Sequence, residues 1–103
     1  MTNPPDIAWE EVDHDAASGR RIFKAEEEVA PSGNYGTYQF KTAARFEVRN
    51  ADGEVLFKTS GSASGEHWCG VFLWFVEGSE GRRVRLDESD TESDEFFDVP
   101  DTP

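Results

Sequence analysis

Tyr38, Phe40, Thr42, Ala44, Phe46 and Val48 occupy every second position, with Gln39, Lys41, Ala43, Arg45, Glu47 and Arg49 between them. A period of two held this long marks a strand with one buried and one wet face. Asn50-Ala51-Asp52-Gly53 follows and supplies a tight turn, with Gly53 suited to a positive φ. The chain then returns over 54–59, placing Val55 and Phe57 toward the core. This hairpin commits the chain to an antiparallel β architecture.

The rest of the sequence is read around it. Residues 7–12 suit a short strand, and Asp13 to Gly19 a loop or single helical turn. Arg20 to Val29 reads as a strand with Phe23, Ala25 and Val29 on one face. Residues 30–36 form a loop by their Pro, Gly and Asn content, and 60–65 a flexible loop of small residues. Trp68 to Val76 is apolar on both faces, Gly78 to Gly81 turns the chain, and Arg82 to Leu86 adds a strand with Val84 and Leu86 inward. No segment has a helical period. The expected fold is all-β, an antiparallel sandwich or small barrel of five to six strands over 7–87. A loose N-terminus (1–6) precedes it and a disordered acidic tail (88–103) follows.

The segment 71–76 poses a packing problem. A domain of 103 residues has too little chain to cover both faces of such a strand easily. Either the strand is central in the core, or Phe72 and Trp74 form an interface in a homodimer. With one face in the core, only one of Phe72→Lys and Trp74→Lys is expected to be tolerated.

Charge narrows the function. The net charge is −12, and it is unevenly placed: five acids and no base in 1–15, ten of each in 16–87, seven acids and no base in 88–103. A chain this acidic is repelled by nucleic acid, so direct nucleic-acid binding is not expected. No apolar run approaches the length of a membrane span. Cys69 is the single cysteine, which excludes an internal disulfide and a cysteine-based zinc site. The expected location is therefore the cytoplasm.

Chemistry-bearing patterns are sparse. Asp13-His14-Asp15 reads as a solvated loop more readily than as a metal or acid–base site, because three consecutive side chains do not converge on one ion. His67 and Cys69 share a strand face, yet nothing marks a third orienting group for a nucleophile. The glycine-containing loops lack phosphate-binding spacings. No enzyme, metal or cofactor is expected.

Two features favour binding to a protein. Lys41, Arg45 and Arg49 lie on the wet face of the long strand, joined by Arg83 and Arg85 if the last strand lies alongside. The tail sets Phe96 and Phe97 among Glu92, Asp94, Glu95 and Asp98, where carboxylates steer the segment to a basic groove and rings fill a pocket. Glu10, Glu11 and Asp13 form the second acidic arm. The expected function is a non-enzymatic acidic binding protein that engages the basic, nucleic-acid-binding surface of a protein partner. A phage or mobile-element inhibitor, such as an anti-restriction or anti-CRISPR protein, would suit that physics. The alternatives are an assembly subunit oligomerising through 71–76 and a small-ligand-binding β-barrel.

Overall fold

The alternating segment becomes a central strand of a four-stranded sheet. In the computed structural model, which describes residues 8–32, 39–65 and 69–103, β1 (Glu10–Asp15), β2 (Arg20–Ser32), β3 (Gln39–Arg49) and β4 (Val55–Gly65) pair in sequence order. A second sheet holds β5 (Val71–Phe75), β6 (Arg83–Glu88) and β7 (Glu95–Asp98), also in sequence order. Every pairing is antiparallel. The described residues contain no helix, and none therefore long and apolar enough to cross a membrane.

The fold is all-β, with seven described strands rather than five or six. The sheets are not closed into a barrel, since β4 and β5 belong to separate sheets and do not pair. They pack on a shared core: Ile22, Ala44, Phe46, Val48, Leu56 and Ala63 from the first, Val71, Leu73, Val84 and Leu86 from the second, and Val99 just beyond β7.

The buried side of β3 follows its period, with Thr42, Ala44, Phe46 and Val48 buried. The turn forms as its residues dictate: Gly53 has φ 89° and its N–H donates to the Asn50 carbonyl at 3.0 Å. The returning strand departs from expectation. A register shift opposite Val48/Arg49 turns Leu56 into the core beside Phe57 and leaves Val55 half-buried, paired with Arg49. Such a bulge adds one residue and changes which side chain faces inward.

Three further expectations are corrected. In β2 Ile22, paired with Val48, enters the core cluster and Ala25 is buried as expected, whereas Phe23 pairs with Glu47 on the face opposite Ile22 and is only half-buried. Residues 60–65 form the second half of β4, because pairing to 40–45 of β3 supplies the backbone hydrogen bonds that small side chains do not advertise. Gly61 is needed there, since a Cβ would lie 2.8 Å from Val71 Cγ1. A disordered tail over 88–103 is not what the structure shows: β6 reaches Glu88, β7 pairs with it, and Val99 is buried. Apolar Phe97 and Val99 gain more by covering the core than they lose in chain entropy. The expected loose start at 1–6, the loop at 33–36, Tyr38, His67 and Trp68 lie outside the described residues.

Candidate binding face

Three of the acidic residues singled out above, Glu11, Asp13 and Asp94, have partners within the fold, as do Asp15, Glu88, Asp90 and Asp101. Asp13 lies opposite Ile22, and its Oδ2 accepts the N–H of Phe75 at 2.8 Å, closing part of the open edge of β5. Glu11 pairs with Arg21 at 3.2 Å, and Asp94 with Arg85 at 3.2 Å. Glu88 Oε2 and Asp90 Oδ2 accept the N–H groups of Ser62 and Ser64, at 2.8 and 3.1 Å, along the open edge of β4. An unpaired strand edge is a template for unwanted pairing, and carboxylates block this one. Asp101 accepts Arg20 Nη2 at 2.8 Å and sits 3.5 Å from Arg82 Nε. Its carboxyl is held below the ordinary carboxylate range, first by the Arg20 hydrogen bond and then by the Arg82 charge. Asp15 is lowered likewise by the Ser18 hydroxyl and backbone N–H.

Lys24 is a residue that sequence reasoning missed. It shares the inward side of β2 with Ile22, and its Nζ donates to the Val71 carbonyl at 2.8 Å, closing another edge group of β5. A lone lysine two positions from a core isoleucine is the signal for such a role.

The basic face does not survive as a cationic patch. Arg45 pairs with Glu27 at 3.0 Å, and Arg49 with Glu47 at 2.8 Å. The Arg49 guanidinium also lies 4.2 Å from the Phe23 ring centroid and 5.5 Å from that of Trp9. Lys41 is exposed. Arg83 and Arg85 lie in the other sheet and do not join them.

The outward face of the second sheet instead gathers aromatic and charged groups. Trp74, Arg85 and Phe96 stand side by side across β5, β6 and β7. Phe72 and Trp74 share this face because they are two apart on one strand, and their rings stack at 5.4 Å with an interplanar angle of 3°. Neither enters the core, so the expectation that only one tolerates lysine is corrected. Arg85 lies 4.7 Å from the Trp74 centroid, and Arg83 4.9 Å from that of Phe96. Phe96 is 48% exposed. An open groove of about 530 Å³ runs here, lined by Asp13, Trp74, Val76, Glu77, Arg85 and Phe96. Phe97 points the other way and packs on the core, 5.5 Å from Phe57.

Glu10, Glu92, Glu95 and Asp98 are exposed. Among the described residues, no three His, Cys, Asp or Glu side chains are placed to hold a metal ion. Cys69 is a half-buried free thiol. Compared with known proteins, the chain matches no family model, no curated protein and no solved structure.

Proposed function

We propose that the chain is a non-enzymatic acidic binding protein that engages a basic surface of a protein partner through the outward face of its second sheet. The observation that carries this reading is the exposed Phe96 beside the Phe72–Trp74 stack, in a groove also lined by Asp13, Glu77 and Arg85, the last neutralised by its ion pair with Asp94. Aromatic faces and nearby carboxylates together suit lysine and arginine side chains, by cation–π attraction and by charge. The net charge of −12 adds long-range steering of a cationic partner.

The test is titration of an arginine-rich peptide, with its glutamate-rich counterpart as control, at low and at physiological salt. The arginine peptide is expected to bind, with an affinity that falls as salt rises and that Trp74→Ser weakens. Failure of the arginine peptide to bind at low salt overturns the reading.

The stacked Phe72 and Trp74 favour a second reading, self-association through the same face. Light scattering would then give a dimer that Trp74→Lys dissociates, and the arginine peptide would compete with the second copy.

A further inference from the structure

Each sheet has two open edges, and they are treated differently. The inner portion of the β4 edge is closed by Glu88 and Asp90, and that of β5 by Asp13 and Lys24. β1 is 6 residues long and broken by a register shift at Val12. Among the described residues, β7 pairs only with β6. Val99 N donates to Arg82 O at 2.7 Å, and alternation along an antiparallel strand turns Phe97 and Glu95 the same way. The N–H groups of Phe96 and Asp98 therefore point to the open edge, and neither has a hydrogen-bond partner among the described residues.

We propose that this edge receives an extended cationic segment of a protein partner, which adds to the second sheet as a fourth strand. The inference rests on the basic-partner reading and states how such a partner docks. Main-chain hydrogen bonds to Phe96 and Asp98 give the register, and alternate side chains give specificity. Charge selects the occupant. Glu92, Glu95 and Asp98 are exposed and make no ion pair among the described residues, whereas neighbouring Asp94 and Asp101 are already paired. Phe96 offers the incoming strand a ring to cover on the outward face. A second copy is the poorer occupant, because pairing β7 with itself brings together two edges that each carry the exposed carboxylates Glu92, Glu95 and Asp98.

The probe is a synthetic peptide of alternating arginine and valine, with an alternating glutamate and valine peptide as control, added to the full chain at low salt. Amide-resolved NMR is expected to show the Phe96 and Asp98 N–H groups shifted and protected from exchange by the arginine peptide alone. Asp98→Pro, which removes an edge donor that bonds nothing within the fold, weakens binding by about tenfold. Asp98→Asn, which keeps the N–H, weakens it less. If Asp98→Pro disturbs β7, protection in the unaltered chain decides. Binding that survives Asp98→Pro, leaves both amides unprotected and is lost in Trp74→Ser overturns the edge and keeps the basic-partner reading. No binding of the arginine peptide overturns both. Protection of the two amides by self-association, without peptide, assigns the edge to a second copy and also overturns the proposal.

Discussion

Asp13 of β1 reaches across from the first sheet to accept the backbone N–H of Phe75 in the second, at 2.8 Å. Lys24 of β2 does the complementary task, donating to the Val71 carbonyl of the same β5 strand that holds Phe75. A carboxylate and an ammonium from one sheet thus satisfy main-chain groups at the open edge of the other. Such groups would otherwise be unpaired where the two sheets meet.

Removing the Asp13 carboxylate therefore costs both stability and edge protection. A hydrogen bond to a charged group contributes about 1.5–3 kcal/mol, and Asp13→Ala is expected to lose that amount in urea unfolding. Asp13→Asn loses less, because its amide oxygen still accepts. Exchange of the Phe75 amide should speed up in Asp13→Ala before any global change.

The C-terminal segment is part of the stable fold. Fully burying one side chain such as Val99 contributes about 1.5–3 kcal/mol, so truncation after Ser93 is expected to lower stability by at least about 2 kcal/mol in denaturant unfolding. It also removes Phe97 from the core and Asp101 from Arg20. A thermal midpoint unchanged by truncation would mean that β7 does not contribute.

Acid should loosen that same segment. Arg20 holds the Asp101 carboxyl below its ordinary range, so this group favours the folded state above the unfolded carboxylate value. The contribution is lost as pH falls through the lowered folded value, below about pH 4. Asp15, lowered by Ser18, acts in the same direction. The protection factor of the Val99 amide, its exchange rate referred to the intrinsic rate at each pH, is expected to fall in this window. Asp101→Asn should exchange faster at neutral pH and show a smaller acid step.

Lysine at Phe72 or Trp74 should leave the chain folded, since both rings lie on the outward face; losing their stacking costs about 0.5–1.5 kcal/mol. Leu73, 1% exposed between them, is different. Leu73→Lys buries an unpaired charge and is expected to abolish the folded near-ultraviolet circular dichroism signal.

The local rules were legible in the sequence because they act between neighbours. Period-two alternation fixed the buried side of β3 at Thr42, Ala44, Phe46 and Val48, and Asn50 with Gly53 fixed the turn. The inward Val84 and Leu86 of β6 followed from the same alternation. The pattern was silent where side chains are small or charged. Ser60 to Gly65 read as a loop although it completes β4, and the acids around Phe96 read as disorder although they flank β7. A bulge opposite Val48 then exchanged Val55 for Leu56 in the core, a one-residue change that no periodicity records.

What a single carboxylate does was decided by the tertiary structure alone. Composition places five acids in 1–15 and seven in 88–103, and reads both ends as free arms. Stacking of the sheets turns Asp13, Glu88 and Asp90 into edge caps, brings Asp101 to Arg20, and leaves Glu92, Glu95 and Asp98 to solvent. The reason is geometric. A strand's alternation is set by its own backbone, but an open N–H exists only at an edge. Which acid reaches it depends on residues distant in the chain meeting across two packed sheets.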